Sequence, residues 1–192
     1  MLIVLEGIDG SGKETQIKLL REKLGFELFK YPTRKFGILN DYLEKKVSLS
    51  QKSLFHLFLS DIAEEQGQVA KSKSAGLTVL DRYVFSTIAY ELDGISYENA
   101  KKIVEASMFV KPDLVIYLDI TADVSQERKI KQKELDRYEE DKSYLARVRA
   151  NYLKLFKDKF LTDNWRLVDA STGAEEVHSQ IMDALNRAGI KQ

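Results

Sequence analysis

Short apolar runs rich in β-branched residues alternate along this chain with longer stretches in which apolar residues recur every three or four positions. Runs of the first kind are typical of buried parallel strands, and stretches of the second kind are typical of amphipathic helices. Their alternation predicts βαβ units, which place helices on both faces of a parallel sheet. We therefore predict an α/β fold, a three-layer α/β/α sandwich around a five-stranded parallel sheet.

The element boundaries follow from the same pattern. The predicted strands are residues 2–6, 26–31, 77–81, 114–118 and 166–168. The predicted helices cover approximately residues 12–24, 38–46, 50–74, 85–92, 97–109, 122–129, 142–160 and 174–188. The two prolines each lie beside a strand and mark no linker, so we expect residues 1–192 to form a single domain.

Composition narrows the class of ligand. Lys and Arg together number 30, and so do Asp and Glu, so the chain lacks the overall positive field that attracts nucleic acid or an anionic membrane. A small ligand is favoured, and any phosphate site must be built locally. No apolar run approaches membrane-spanning length, and the N-terminus does not resemble a signal peptide. Because cysteine is absent, a cytoplasmic location is the simplest expectation.

A glycine-rich loop follows the first predicted strand and precedes a predicted helix. Glycines let the backbone curl so that successive N–H groups surround phosphate oxygens, and the helix adds the positive end of its dipole. Lys13 supplies a mobile positive charge for the β- and γ-phosphates. The pattern predicts a P-loop NTPase fold that binds ATP, against the alternative of a tight turn without a ligand. The residues of this loop are Gly7, Ile8, Asp9, Gly10, Ser11, Gly12, Lys13, Glu14 and Thr15.

One position departs from the P-loop pattern. The residue after the lysine is normally Ser or Thr, whose hydroxyl binds Mg²⁺, and here it is Glu14. Three interpretations stay open. Glu14 binds Mg²⁺ directly or through water, it faces solvent while water completes the metal shell, or the site binds nucleotide without turnover.

A second motif, Asp81-Arg82-Tyr83, follows the third predicted strand. A carboxylate at the carboxyl end of a parallel strand lies beside the P-loop in this architecture, where it can orient metal-bound water. The adjacent arginine can hold an acceptor phosphate with its fork of donors. In isolation the tripeptide is better explained by a surface ion pair and a core tyrosine.

Together these motifs resemble those of the thymidylate kinase family. The pattern Gly-x-Asp-x-x-Gly-Lys matches residues 7–13, and Asp-Arg-Tyr-x-x-Ser-x-x-Ala-Tyr matches residues 81–90. Further similar segments are residues 31–34, 111–114, 134–139 and 165–171. The resemblance therefore covers nearly the whole chain, and the joint order of the motifs is specific.

The resemblance implies transfer of the ATP γ-phosphoryl group to dTMP, giving dTDP in dTTP biosynthesis, with Mg²⁺ as cofactor and a homodimer as the assembly. The implied catalytic residues are Lys13, Asp81, Arg82 and Arg128, with Asp81 acting on Mg²⁺ directly or through water. The residues implied to bind the acceptor are Asp9, Arg34, Leu59, Arg82, Ser86, Tyr90 and Tyr138. On the adenine side of the ATP site, the implied residues are Asp169 and Ala170.

The helix predicted at residues 50–74 departs from the family pattern. Family members carry a phenylalanine that stacks on thymine and, one turn later, an arginine that hydrogen-bonds its edge. The corresponding residues here are Leu59 and Ala63. Phe58 lies about 100° around the helix, so we assign it to the core. Loss of both groups predicts relaxed discrimination among acceptor bases.

The polar stretch at about residues 129–141 is predicted to be a mobile lid. Family members with glycine at the position of Gly10 tend to supply a catalytic arginine from the lid. Here the matching segment is rich in lysine, which lacks the planar fork of arginine. Arg128 is the first candidate, followed by Lys131 and Lys133, and the alternative is a solvated basic loop.

Three functions remain in competition. The first is a nucleoside monophosphate kinase of thymidylate type, and the second is a kinase for a nucleoside or another nucleotide. The third is a nucleotide-binding regulatory module that has lost catalysis through Glu14.

Overall fold

The computed structural model describes residues 1–91, 93–132 and 141–190. These residues form a five-stranded sheet in the order β2-β3-β1-β4-β5, with every strand pair parallel. The strands are β1 (Leu2–Glu6), β2 (Glu27–Lys30), β3 (Thr78–Asp81), β4 (Leu114–Asp119) and β5 (Trp165–Asp169). The predicted strand number and parallel pairing are confirmed.

Helices connect successive strands and cover the sheet. They are α1 (Lys13–Lys23), α2 (Gly37–Leu43), α3 (Gln51–Ala63), α4 (Gln66–Ala75), α5 (Val84–Tyr90), α6 (Tyr97–Ala106), α7 (Ala122–Gln132), α8 (Lys142–Asp158) and α9 (Ala174–Arg187). Helix α1 packs on α9, whereas α8 packs on α5, α7, β4 and β5. None of the described helices is both long and apolar enough to cross a bilayer.

The central strands build the core. Every residue of β1 and β3 is buried, whereas the edge strands β2 and β5 contain both buried and accessible positions. This is the burial expected when helices cover both faces of interior parallel strands. Because β3 and β4 flank β1 on opposite sides, the strand order reverses at β1, and ligands bind beside the carboxyl ends of the strands at such a point in this class of fold.

The single helix predicted at residues 50–74 is wrong, because α3 ends at Ala63 and α4 begins at Gln66. Glu65 leaves the helical region with φ −99° and ψ 1°, and its carboxylate pairs with Lys35 at 2.7 Å. The Gln66 side chain compensates at the break by donating to the carbonyl of Ile62 at 3.1 Å. The helix thus breaks at Glu65, whose side chain is engaged in a tertiary ion pair that the local helical pattern does not contain.

The helix predicted at residues 122–129 is longer in the structure. Helix α7 continues to Gln132 and so includes the first four residues of the predicted lid. The part of the lid at residues 133–140 lies outside the described residues.

Candidate active site

The glycine-rich loop closes tightly on the end of β1. A Cβ atom added to Gly7 would lie 2.5 Å from Ser11 Oγ and 2.8 Å from the Leu118 carbonyl oxygen, so only glycine fits. Gly12, the N-cap of α1, has φ 90°, in the left-handed region that favours glycine. The loop therefore has the curled geometry that the P-loop pattern predicts.

Lys13 is buried at the start of α1. Its Nζ donates to the carbonyls of Gly7 at 2.8 Å and Ile8 at 3.3 Å, within the loop itself. Burial and the nearby charge of Arg82 lower the pKa of Lys13 to about 8, although Asp9 acts in the opposite direction. The ammonium group is thus held within the glycine-rich loop, and the surrounding carboxylates only partly offset the cost of burying its charge.

A cavity of about 630 Å³ opens over this loop. The predicted ATP-site residues in its wall are Asp9, Gly10, Ser11, Gly12, Lys13, Glu14, Thr15 and Ala170. Gly7 and Ile8 lie behind the wall, where their carbonyls accept from Lys13. Asp169 is also outside it and accepts hydrogen bonds from the backbone N–H and hydroxyl of Ser171 at 2.9 and 2.6 Å. We call this cavity the nucleotide cavity.

Asp81 ends β3 and lies in the same wall. Its Oδ2 is 3.6 Å from Lys30 Nζ, while its buried Oδ1 has no hydrogen-bond partner among the described residues. An unpartnered carboxylate oxygen is the kind of ligand that a hard divalent cation takes. Lys30 was not predicted from the sequence. Its position at the end of β2 was the available signal, because the carboxyl ends of parallel strands lie along one edge of the sheet.

Arg82 lies directly beside Asp81. Its guanidinium forms an ion pair with Asp9, donates to Ser86 Oγ at 3.2 Å and lies 5.4 Å from the centre of the Tyr90 ring. Burial alone would raise the pKa of Asp9, but the charges of Arg82 and Lys13 lower it to about 2. Asp9 is therefore ionised at physiological pH.

A second cavity, of about 220 Å³, lies on the other side of Asp9 and Arg82. Its further wall residues are Tyr31, Pro32, Arg34, Leu43, Gln51, Leu54, Phe55, Phe58, Asp61, Ile62, Tyr83, Ser86, Thr87, Tyr90, Glu91 and Tyr144. Four of the predicted acceptor residues besides Asp9 thus share this wall, namely Arg34, Arg82, Ser86 and Tyr90. We call this cavity the acceptor cavity.

The loop that carries Arg34 is anchored on both sides. Arg34 has φ 65°, and its carbonyl accepts from Asn40 Nδ2 at 2.6 Å. Asp61 of α3 accepts from the backbone N–H of Thr33 at 2.7 Å and from its hydroxyl at 2.5 Å. Because hydrogen bonds hold both the Arg34 carbonyl and the preceding residue Thr33, the Arg34 backbone has a defined position beside the acceptor cavity.

The structure corrects the assignment of residues on α3. Leu59, predicted to bind the acceptor, is buried in the main core and does not line the acceptor cavity. Phe58, assigned to the core, lines that cavity together with Ile62, while Ala63 is exposed. The cavity-facing positions recur every three or four residues, as one face of a helix requires, and that face is rotated from the one we predicted.

The geometry of Glu14 bears on the three interpretations of the P-loop. Its side chain is 71% exposed and lies 3.7 Å from Lys18, one turn along α1. This arrangement favours the interpretation in which Glu14 faces solvent. Among the described residues, no three His, Cys, Asp or Glu side chains form a metal-binding group. A cation here would depend on Asp81, water and phosphate, which suits Mg²⁺.

Arg128 of α7 reaches across the nucleotide cavity. Its guanidinium donates to the carbonyls of Gly10 at 3.1 Å, Ser171 at 3.3 Å and Thr172 at 3.4 Å. These bonds join the P-loop to the loop after β5, so part of its donor fork is already engaged by backbone. Tyr138 and Lys133 lie outside the described residues.

Comparison with known proteins agrees with this geometry. The family model described as thymidylate kinase matches residues 5–181. The thymidylate kinase of Schizosaccharomyces pombe is 34% identical over 100% of this chain and 94% of its own length, and the human thymidylate kinase is 35% identical over 94% and 87%.

Solved structures extend the comparison. The thymidylate kinase of Candida albicans, described as having broad substrate specificity, superposes with a TM-score of 0.79 at 28% identity, covering 100% of this chain and 95% of that one. A deoxyadenosine kinase from M. mycoides, with a TM-score of 0.72 at 22% identity, covers 97% of this chain and 100% of its own and shares the fold. On the matched length and motifs, the chain belongs to the thymidylate kinase family.

Proposed function

We propose that this protein transfers the γ-phosphoryl group of ATP to the 5′-phosphate of dTMP. The observation that carries the proposal is that Asp9 and Arg82 line both the nucleotide cavity and the acceptor cavity. A donor phosphate in one cavity and an acceptor phosphate in the other would meet at these residues. The named thymidylate kinases among the relatives support the same reaction.

The residues act by position and charge, since phosphoryl transfer requires little covalent help from the protein. Lys13 neutralises the transferring group, and Arg34 and Arg82 hold the acceptor phosphate. Asp9 orients Arg82 and accepts a hydrogen bond from the acceptor's sugar hydroxyl. Tyr90, whose hydroxyl lies 3.4 Å from Asp9, lines the nucleoside.

Asp81 would hold Mg²⁺, directly or through water, on its unpartnered oxygen. Bound there, Mg²⁺ would supply positive charge against the negative charge of the donor phosphates. Lys30, which pairs with Asp81 in the structure, remains in the wall of the nucleotide cavity as a further positive charge. Arg128 supplies the clamp on the donor side, where it already contacts Gly10.

Discrimination between acceptor bases should be weak. Arg34 and Arg82 are the cationic side chains that the described residues contribute to the acceptor cavity, and both serve the phosphate. The remaining wall is largely apolar, so affinity comes mainly from the phosphate and sugar that all acceptors share. The broad specificity described for the Candida albicans relative supports this proposal.

A nucleotide panel tests the reaction and its selectivity together. The protein is incubated with ATP, Mg²⁺ and, separately, dTMP, dUMP, dCMP, dAMP, dGMP and thymidine, and the products are separated by charge. We expect dTDP, no product from thymidine, and at least one other monophosphate used within about a hundredfold of dTMP. Absence of dTDP, or phosphorylation of thymidine alone, contradicts the proposed reaction. A preference for dTMP above about a thousandfold contradicts only the weak selectivity.

A homodimer in the cytoplasm completes the proposal. The homodimer rests on the likeness to thymidylate kinases alone, because the apolar residues of α3 and α5 are largely buried within this chain. Light scattering at micromolar concentration should give twice the chain mass of 22.0 kDa, and a monomer would contradict the assembly. The cytoplasmic location is supported by the absence of cysteine and by the free nucleotides on which the reaction depends.

A further inference from the structure

Glu6, the last residue of β1, is a fully buried carboxylate that lines neither cavity. Its Oε1 accepts hydrogen bonds from the backbone N–H of Tyr83 at 2.8 Å and of Ser86 at 3.3 Å. Its Oε2 accepts from the hydroxyls of Ser86 at 2.6 Å and Tyr152 at 2.9 Å. One side chain thus joins β1 to the beginning of α5 and to α8.

The chemistry of the donors limits where the protons of this network can lie. A backbone N–H only donates, so Oε1 of Glu6 carries no proton. Arg82 also only donates, and its Nη1 gives a hydrogen bond to Ser86 Oγ at 3.2 Å. The Ser86 hydroxyl lies 2.6 Å from Glu6 Oε2 and 2.8 Å from the Tyr152 hydroxyl, so these three groups form one connected cluster. Burial raises the pKa of Glu6, while Ser86, Arg82 and Tyr152 oppose that rise by stabilising the ionised form.

Burying a carboxylate costs desolvation free energy that an apolar side chain of similar size does not, so a buried carboxylate suggests a role beyond filling the core. Glu6 provides a fixed position for the turn after β3. Arg82 in that turn has φ 68°, which residues other than glycine seldom adopt, and its backbone N–H donates to the Leu5 carbonyl at 3.0 Å. The turn is therefore held to β1 by both backbone and carboxylate.

We propose that Glu6 is a positioning residue for the acceptor phosphate. Through Ser86 and the backbone of Tyr83, its carboxyl group holds the Arg82 guanidinium between Asp9 and the acceptor cavity. The inference rests on the proposed role of Arg82 in binding the acceptor. It assigns a role in binding to a residue that would touch neither substrate.

The first test is Glu6→Gln, which keeps the shape of the side chain and removes its charge. We expect the dissociation constant for dTMP, measured by calorimetry, to rise about tenfold while that for ATP changes less than about twofold. Glu6→Asp keeps the charge but withdraws it from Ser86, and it should give an intermediate rise. If Glu6→Gln does not fold, Glu6→Asp carries the same test.

The matched control is Asp119→Asn, on the neighbouring strand β4. Asp119 lies outside both cavities and accepts two hydrogen bonds of 2.7 Å from Arg149. This variant should lower the Tm and leave both dissociation constants unchanged. Parent-like dTMP affinity in both Glu6 variants overturns the inference, as does parallel weakening of ATP and dTMP. A parent that fails to bind dTMP refutes the proposed function as well, so the two failures are distinguishable.

Discussion

Two side chains, Asp9 and Arg82, belong to both cavities, and they form an ion pair with each other. Each has a second fixed contact, since Tyr90 lies 3.4 Å from Asp9 and Ser86 lies 3.2 Å from Arg82. A pair of opposite charges with further hydrogen bonds is well held in a partly dry site. Such preorganisation is what phosphoryl transfer requires from its protein.

The lowered pKa of Lys13 predicts that ATP binding takes up a proton. In the free protein this pKa is about 8, so at pH 9 most Lys13 side chains are neutral. Triphosphate beside the ammonium group favours its charged form and returns the proton. We expect an uptake approaching about one proton at pH 9, measured by calorimetry in two buffers of different ionisation enthalpy.

Lys13→Arg provides the control for this measurement, because guanidinium remains protonated throughout the range. Its ATP binding should show little proton uptake at pH 9. Equal uptake by the parent and Lys13→Arg would assign the proton to another group.

Replacing Arg82 should separate acceptor binding from donor binding. Arg82→Lys keeps the charge but loses the planar fork, so the KM for dTMP should rise about ten- to a hundredfold, corresponding to about 1.5–3 kcal/mol. The KM for ATP should stay within about threefold of the parent. Arg149→Lys, which changes an equally forked pair with Asp119 outside both cavities, should leave both constants unchanged. A rise confined to the KM for ATP would reverse the assignment.

At the scale of elements, the sequence predicts the strands better than the phase of the helices. Strands β1, β3 and β4 were identifiable because buried parallel strands form continuous apolar runs, and both motifs lie at strand ends. Leu59 was assigned by aligning α3 with the family pattern, and the apolar residues on several faces of this helix gave no independent check that Phe58 rather than Leu59 reaches the acceptor cavity. At the break before α4, Glu65 pairs with Lys35, which is distant in sequence and so lies outside any local pattern.

The corrected phase of α3 predicts opposite effects for two adjacent substitutions. Phe58→Ala removes a wall of the acceptor cavity, so it should raise the KM for dTMP about tenfold or more with a modest change in Tm. Leu59→Ala leaves a void in the main core and should cost about 2–5 kcal/mol of unfolding free energy, with a KM near that of the parent. Thermal melts and initial rates on the two variants provide the comparison, and the reverse pattern would restore the sequence-based assignment.

At the scale of the whole molecule, zero net charge conceals a strongly uneven distribution. The nucleotide cavity gathers cationic side chains from α1, β2, the β3 turn and α7, and these outnumber its carboxylates. The cations are Lys13, Lys18, Lys30, Arg82, Arg128 and Lys129, and the carboxylates are Asp9, Glu14 and Asp81. The sequence indicated the P-loop and the Asp-Arg-Tyr members of this set, because each belongs to a motif. Lys18 and Lys30 belong to no motif and reach the cavity wall only through the fold, so composition could not reveal their place in it.

Stability should fall as the medium becomes acidic, and His178 provides one identifiable cause. Its side chain is buried on α9, and neither ring nitrogen has a hydrogen-bond partner among the described residues. Burial, assisted by the charge of Lys23, lowers the pKa of His178 below its ordinary value of 6.5. Between that lowered pKa and 6.5, the unfolded chain therefore binds more protons than the folded protein, so stability is lost as pH falls through this window.

The test compares unfolding free energies at pH 7.5 and 5.5 for the parent and for His178→Phe, which suits an apolar site. The His178 contribution in the parent can reach about 1.4 kcal/mol for each pH unit inside the window, and the variant should lose that contribution. His56, the other histidine, is exposed on α3, so His56→Gln should keep the parental pH dependence. An unchanged slope in His178→Phe would mean that other groups control the acid sensitivity. A flattened slope in His178→Phe alone would trace the acid sensitivity to the buried imidazole of α9, a helix that packs on α1 and β5.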